Sequence, residues 1–423
     1  MSGKSEKKAL VLGYGRSGRA AEALLTRQGY AVTVLDEGRN GHGGEKRADA
    51  GAQAVAEASG RTVPGHEVPF GPDGIDLAVV SPGIAATHPW VSKCREKGVA
   101  VVSELQLGCE ELRRRGVRLL AVTGSKGKSS VVKIVAEALD LAGMPAVPCG
   151  NYGLPVSEVA CRADAPAWAV VEVSSFQLET TELGSDAFEA AAILNLQEDH
   201  LDRHGSVEVY HALKRHLLDM AKVRIDGSQA AVPAADEAAL AAGSYFDNPV
   251  LRQNGACAVR LLRAAGVCDA DMRRAFLAFE PLPHRMNLVC VRDGVRYIDD
   301  SKATSIEALA AGVVMAGDSG IRLIAGGLPK GDDPKNALPS LTGRVKKVYT
   351  IGSSAEAFAR AWSGAVDCEV CGTVEQAMLA ARRDAVAGDC VLLSPGAASF
   401  DQFQNFGERG KVFADLAKKG KDK

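Results

Sequence analysis

The sequence has no apolar run near the ~20 residues that a membrane-spanning helix needs. Its first residues, Met1 to Lys8, are polar and carry no apolar stretch of the kind found in a secretory signal. The chain is therefore expected in the cytoplasm, without membrane insertion. Neither sign of charge is in surplus: 50 Lys and Arg stand against 52 Asp and Glu, a net charge of −2. That balance gives no electrostatic reason to expect nucleic acid or a membrane surface as partner. Cysteine is present, 10 residues in 423, but without the spacing of a disulfide framework. In such a chain the thiols are expected to be reduced and mostly buried as small hydrophobes. Cys368-Glu369-Val370-Cys371 is the one C-x-x-C. No second such pair or pair of histidines accompanies it, so a structural reading is preferred to a redox centre or half a zinc site. Internal repeats and low-complexity segments are absent as well.

What is there is the composition of an ordinary soluble enzyme, 46% hydrophobic and 24% charged. The length allows two or three domains. Strand-like and helix-like segments alternate almost throughout, which implies α/β architecture with parallel sheets covered by helices. Three blocks are read. The first, residues 1–103, has strands at Ala9–Leu12, Ala31–Leu35, Leu77–Val80 and Val99–Val102. Between them lie helical patterns at Ser17–Arg27, Glu45–Ala58 and Pro89–Lys97, with Gly60 to Gly74 as a loop. The second, 104–281, opens with a helix at Glu104–Arg115 and has strands at Val117–Val122, Ala167–Val173 and Ala190–Leu194. It closes at Pro281-Leu282-Pro283. The third, 282–423, alternates strands at Arg296–Ile298, Ile321–Ile324, Lys347–Ile351 and Asp389–Leu393 with helices at Ile306–Met315, Ala355–Trp362, Val374–Ala385 and Gly407–Ala417. The basic tail Lys418 to Lys423 reads as a frayed, solvated end.

The most informative run is Thr123-Gly124-Ser125-Lys126-Gly127-Lys128-Ser129-Ser130. It lies between a buried strand and a helix, the setting of a phosphate cradle made from backbone N–H groups and a helix N-terminus. Lys128 would reach the terminal phosphates and the Ser129 hydroxyl would ligate Mg²⁺. Two residues, not the usual four, separate Gly124 from Gly127. Glu172 ends a neighbouring strand, where a carboxylate suits Mg²⁺. The polar run Asn195 to Gly205 contains His200, a candidate metal ligand or phosphate donor. Lys214, on the following helical pattern, is by composition merely one of several basic residues.

A second glycine run, Gly13-Tyr14-Gly15-Arg16-Ser17-Gly18, follows the first strand, with Asp36 at the end of the next. It suits a nucleotide diphosphate, and on these residues alone NAD is a fair guess. A nicotinamide-dependent oxidoreductase or an NAD-sensing module therefore stays open here. Ser81-Pro82-Gly83 occupies the same sheet edge. In the third block, Pro283-His284-Arg285, Asp299 to Thr304, Gly326 to Gly331 and Ser394 to Ser399 are further strand-end or hinge loops suited to a small anion.

In this order the runs resemble the Mur ligases of peptidoglycan synthesis over nearly the whole chain. The compressed phosphate loop, Glu172-x-Ser174-Ser175-Phe176-Gln177-Leu178-Glu179 and Glu198-Asp199-His200-Leu201-Asp202-Arg203 mark the family. Asp300-Ser301-Lys302-Ala303-Thr304, Gly326-Gly327 with Lys330, and Ser394 to Phe406 resemble its D-glutamate-adding members. The resemblance implies three domains: a Rossmann-like N-terminal domain for a UDP-sugar, a central ATPase domain of the phosphate-loop type with a mainly parallel sheet, and a Rossmann-like C-terminal domain. It implies an ATP-dependent, ADP-forming amide ligase. Its partners would be UDP-N-acetylmuramoyl-L-alanine and D-glutamate, acted on by a monomer; a family member adding another amino acid is the alternative.

By the same resemblance, Gly15, Arg16, Ser17 and Gly18 would hold the UDP diphosphate. Asp36, Ser81, Pro82 and Gly83 would surround uridine and its ribose. Asn151 and Ser174 would lie at the muramoyl substrate. Gly124, Ser125, Lys126, Gly127, Lys128, Ser129 and Ser130 would hold ATP. Ser129, Glu172, His200 and Lys214 would hold Mg²⁺ at two sites, with Lys214 carbamylated by CO₂. His284, Arg285, Asp300 and Lys302 would close over the nucleotide, and Lys330, Thr304, Ser399 and Phe406 would hold D-glutamate. Three departures stand out. Ser129 replaces a common Thr. Cys257 replaces an ATP-contacting Asn, which puts one adenine-side contact in doubt. The stretch from Lys214 to Pro281 is short, and part of a peripheral sheet is expected to be trimmed.

Overall fold

Short runs of Val, Leu, Ile and Ala form strands whose residues lie out of water on both sides, the pattern of parallel sheets covered by helices. The computed structural model describes residues 7–36, 71–229 and 233–419. The helical pattern expected at 45–58, most of the 60–74 loop, residues 1–6 and the last four residues of the tail lie outside the described residues. The chain divides into two compact units, one of residues 1–247 with 251–279 and one of 248–250 with 280–423.

The first unit holds two sheets. Strands β1 (Lys8–Leu12), β2 (Ala31–Leu35), β3 (Leu77–Val80) and β4 (Ala100–Ser103) form a sheet of order β2-β1-β3-β4, parallel throughout. Strands β5 (Arg118–Thr123), β6 (Ala146–Gly150), β7 (Trp168–Glu172), β8 (Phe188–Ile193) and β9 (Ala221–Asp226) form the second, of order β6-β7-β5-β8-β9, again parallel. One continuous core joins the two sheets: Ala9, Leu24 and Val79 share it with Leu105, Leu112, Leu119, Val171 and Phe188. The helix Glu104–Arg114, capped by the Ser103 hydroxyl, lies in that shared core. The described residues 233–279 contain no strand, only the helices Ala235–Ala241, Arg252–Ala265 and Asp269–Ala278.

The second unit is one sheet of order β10-β11-β15-β12-β13-β14, made of Asn287–Arg292, Val295–Asp299, Cys390–Leu393, Ile321–Gly326, Val345–Ile351 and Asp367–Gly372 in that spatial order. Only the β10–β11 pair is antiparallel. Separate cores cover its two faces, Leu309, Leu323, Val348 and Trp362 on one, Ile324, Tyr349, Met378 and Phe413 on the other. Cys368 packs toward the first and Cys371 toward the second. The two thiols of the C-x-x-C therefore point to opposite sides of strand β14, and burial pushes both up to about 11. Both properties oppose a disulfide or a reactive thiolate there.

One contact shows how tightly the first unit closes. A Cβ placed on Gly108 would lie 2.6 Å from the backbone of Val156 and Ser157, at the start of the helix Val156–Ala160. Alanine at a helix interior gains about 1 kcal/mol over glycine, but here the obstacle is backbone, which cannot rotate away. Gly108→Ala is expected to be net destabilising by about 1–2 kcal/mol, read as a lower thermal unfolding midpoint; an unchanged or raised midpoint contradicts this packing.

Candidate active site

Strand β5 ends at Thr123, and the chain turns through Gly124 to Gly127 into the helix Lys128–Leu141. Gly127 precedes the helix at φ +84°, a backbone conformation that favours glycine, and a Cβ on it would sit 2.1 Å from Asn254 Nδ2 and push that amide aside. The helix starts without a side-chain cap and without an acidic residue in its first turn, leaving its N–H groups and positive end to a ligand. The loop is fixed from one side by Asn195. Lys126 N donates to Asn195 Oδ1 at 2.8 Å, and Asn195 Nδ2 donates back to the Lys126 carbonyl at 3.0 Å. Ser125 is buried, its hydroxyl 3.1 Å from both the Gln197 carbonyl and the Tyr210 hydroxyl. Lys128 Nζ folds over the loop and donates to the carbonyls of Gly124 at 2.7 Å and Ser125 at 3.1 Å. Ser129 and Ser130 follow in the first turn of the helix.

Glu172 ends strand β7, opposite Val122 in the ladder. It is 2% exposed; its Oε1 accepts from Asn151 Nδ2 at 2.7 Å, while Oε2 is buried with no hydrogen-bond partner. A desolvated carboxylate oxygen without a donor is costly unless a cation supplies one, so the residue fits a divalent metal. Ser174, just beyond, caps the one-turn helix Ser175–Leu178. Lys214 is 1% exposed, 3.1 Å from the Gly124 carbonyl, with its ammonium over the Tyr210 ring at 4.6 Å. Burial first, and the charge of Lys128 second, bring its pKa down to about 7, while Asp199 and Glu172 oppose the shift. His200 stands at φ +53° before the one-turn helix Leu201–His204, its ring 4.8 Å from that of Phe176. Among the described residues no set of three or more His, Cys, Asp or Glu side chains is arranged for a metal. The expected ligand set does not require one, since it draws on Ser129 and Lys214 as well.

The first glycine run is a second uncapped helix start, Gly15 preceding Arg16–Arg27. Gly18 packs on the Gly13 carbonyl, Ser81 Oγ donates to that carbonyl at 2.8 Å, and Asp36 accepts from the Tyr14 N–H. Gly15, Arg16, Ser17, Gly18, Asp36 and Ser81 thus gather at one sheet edge, with Pro82 and Gly83 following. Arg16 extends toward Glu158 at 4.0 Å.

In the second unit, His284 Nδ1 lies 2.7 Å from Asp299 Oδ2. Asp300 is buried with protein partners on both oxygens, Ser394 Oγ at 2.8 Å and Met286 N at 3.3 Å, and burial raises its pKa to about 7. Lys302 lies over the Phe406 ring at 4.0 Å; burial, then Arg285 and Lys330, lower its pKa. Lys330 Nζ donates to Thr304 Oγ1 at 3.2 Å, and Ser399 is buried. Arg409, which the sequence reading missed, is 1% exposed and has only neutral acceptors: Ser301 Oγ, Ser301 O, Ala397 O and Ala398 O, at 2.9–3.3 Å. Burial brings its pKa down to about 10.

Asn254 and Tyr210 were also missed. Asn254 bears on the doubt attached to Cys257. The cysteine is fully buried with Sγ 4.0 Å from the Ile193 carbonyl, whereas Asn254, one turn earlier, stands at the phosphate loop. Tyr210 is four residues before Lys214, a helical spacing that could have exposed the pair.

A phosphate loop flanked by a buried acid and a buried lysine, on stacked parallel sheets, defines a nucleotide-dependent enzyme. The chain belongs to the Mur ligase family: the Mur ligase middle domain matches residues 122–248, and the Mur ligase glutamate ligase domain matches 284–396. It is 35% identical to the UDP-N-acetylmuramoylalanine–D-glutamate ligase of Acidobacterium capsulatum, over 97% of this chain and 96% of that protein. It is also 35% identical to the ligase of the same name from Myxococcus xanthus, over 97% and 98%. Among solved structures it shares its fold with MurF from Acinetobacter baumannii, at TM-score 0.55 and 16% identity over 97% and 93% of the two chains. The UDP-N-acetylmuramate-alanine ligase of Thermotoga maritima gives 0.53 and 15% over 97% and 99%. This membership sets aside the oxidoreductase reading of the first glycine run.

The buried lysine carries a testable cost. In the folded chain its pKa lies below the ordinary value, so the unfolded state binds more protons. The cost is complete below pH ~7 and fades as pH rises toward ~10.5. In buffer free of CO₂ and metal, Lys214→Met is expected to raise stability by up to about 4 kcal/mol near neutrality, and by less at pH 9. Denaturation curves at the two pH values check the sign; a variant less stable than the parent at pH 6 contradicts it.

Proposed function

We propose that this chain joins D-glutamate to UDP-N-acetylmuramoyl-L-alanine, forming ADP and phosphate, in peptidoglycan precursor synthesis in the cytoplasm, and that it acts as a monomer. The observation that supports this most is the uncapped phosphate loop beside Glu172, whose buried Oε2 has no partner, in a chain 35% identical to named D-glutamate ligases over nearly its whole length.

Condensing a carboxylate with an amine is uphill in water, so the acid must be activated. The L-alanyl carboxylate attacks the γ-phosphorus of ATP, ADP leaves, and an acyl phosphate forms. The D-glutamate amine then attacks the acyl carbon, phosphate leaves, and the nitrogen loses its proton as the amide forms. Bringing two anions together requires positive charge at the γ-phosphate. Lys128 supplies one ammonium, and the N–H groups of Ser129 and Ser130 face the phosphate oxygens. Mg²⁺, when bound, neutralises further phosphate charge. Ser129, Glu172, His200 and carbamylated Lys214 are proposed to hold it at two sites. Carbamylation needs a neutral amine: the Lys214 nitrogen bonds to the carbon of CO₂ and a proton is released. A pKa of about 7 leaves that amine available near neutral pH.

At the other sites, Gly15, Arg16, Ser17 and Gly18 are proposed to hold the UDP diphosphate, and Asp36, Ser81, Pro82 and Gly83 the uridine. Asn151 and Ser174 are proposed at the muramoyl portion. His284, Arg285, Asp300 and Lys302 are proposed to serve the nucleotide, and Lys330, Thr304, Ser399 and Phe406 D-glutamate. A three-domain division at 103/104 and 281/282 goes with these assignments.

The test is ADP release with UDP-N-acetylmuramoyl-L-alanine, with and without D-glutamate. Sustained release that depends on D-glutamate is expected; a panel in which another amino acid is preferred assigns the chain to a different family member. Lys128→Ala is expected to lower the rate by about 10³-fold or more. Lys214→Ala is expected to be comparably impaired and partly rescued by short carboxylic acids, and failure of every acid tested counts against the carbamate.

A further inference from the structure

One side chain of the first unit with many partners has been given no role in the chemistry. Arg203 lies on the one-turn helix that directly follows His200. Its guanidinium makes a two-pronged pair with Glu179, Nε to Oε1 and Nη2 to Oε2, both at 2.8 Å. The same group donates to three consecutive carbonyls of the loop after strand β3: Pro82 at 3.3 Å, Gly83 at 3.4 Å and Ile84 at 3.0 Å. Glu179 Oε2 accepts the Ala86 N–H at 3.0 Å, so the pair grips that loop at four residues, Pro82, Gly83, Ile84 and Ala86. The guanidinium also stacks on Phe176, 4.7 Å from the ring centroid, and Phe176 in turn packs on His200 at 4.8 Å. His204, on the same turn of helix, is held by Ser175 at 3.0 Å and lies 3.5 Å from Glu179.

These contacts form an unbroken chain from the backbone of Pro82–Ala86 to the imidazole of His200. We propose that Arg203 is a positioning residue: seating of the uridine diphosphate group against the Ser81–Gly83 loop sets the placement of His200 through Arg203 and Phe176. This rests on the ligase reading above. A planar guanidinium suits the task because it can pair with a carboxylate, donate to carbonyls and stack on a ring at once. An ammonium at the same place keeps the charge and loses both the fork and the stack. A shift of the loop backbone changes where the guanidinium must lie, and the ring sandwiched between it and His200 has to follow. The consequence is that an acid-bearing substrate, by binding, aligns the group that serves its own activation.

The two links are separable. Arg203→Lys breaks the grip on the loop, and Phe176→Leu keeps that grip but removes the ring that faces His200. With ¹⁵N-histidine-labelled protein, the chain's eight histidines give few ring signals, and His200→Asn identifies the one sought. UDP added to the parent protein is expected to move the His200 resonance. Phe176→Leu should bind UDP within twofold of the parent yet leave that resonance still. Arg203→Lys should bind UDP on the order of tenfold more weakly. In turnover, Phe176→Leu should lower kcat with little change in KM for the UDP substrate. The coupling is overturned if UDP moves His200 equally in Phe176→Leu, or if Arg203→Lys keeps parental UDP affinity. It is equally overturned if both variants raise the KM of all three substrates together with a lower melting temperature, the mark of general damage. UDP that fails to bind the parent at all overturns the ligase reading itself, an outcome distinct from UDP that binds without moving His200.

Discussion

A glutamate at the end of strand β7 and a lysine on the helix Val207–Asp219, both kept out of water beside the phosphate loop, are the constraint on which the central site depends. Burying an ammonium or a carboxylate costs several kcal/mol unless something compensates. Lys214 meets the Gly124 carbonyl, the Thr123 hydroxyl and the face of Tyr210, and among the described residues Glu172 leaves one oxygen bare. Such an arrangement persists because the sheets on either side are rigid and fully apolar. Leu119 to Val122 and Ala169 to Val171 are at most 1% exposed, so the two groups cannot turn away to find solvent. The uncompensated burial at this place suits a polyanion and the cations that accompany it.

The surrounding helices follow the same economy. Where a helix is structural, as at Glu104–Arg114, a serine caps it. Where it opens on a glycine run, at Arg16 and at Lys128, no side chain does, an arrangement that suits a phosphate.

Much of this was legible in the sequence, for a physical reason. Strands buried on both faces are continuous apolar runs, so Ala9–Leu12, Leu77–Val80, Val117–Val122 and Ile321–Ile324 could be read directly. The strands that went unread, β6, β9, β10 and β14, all lie at sheet edges. There one side meets water or a loop, and the apolar signal breaks up: Pro148 interrupts β6, and Lys222 and Arg224 interrupt β9. Site residues divide along a similar line. Glycines and the phosphate-loop lysine announce themselves by spacing, whereas Lys214, Asn254 and Arg409 act through burial, which composition does not record. Lys214 entered only by resemblance to a family, and Arg409 did not enter at all.

Arg409 deserves a last consequence. Its guanidinium ties the segment at Ser301, the carbonyls of Ala397 and Ala398, and its own helix into one piece, through neutral acceptors and out of reach of solvent. Surface loops usually diverge freely, because each can change alone. These cannot, since altering the path of one unseats the donor shared by the others. Sequence change along these segments is therefore expected to be concerted rather than piecemeal.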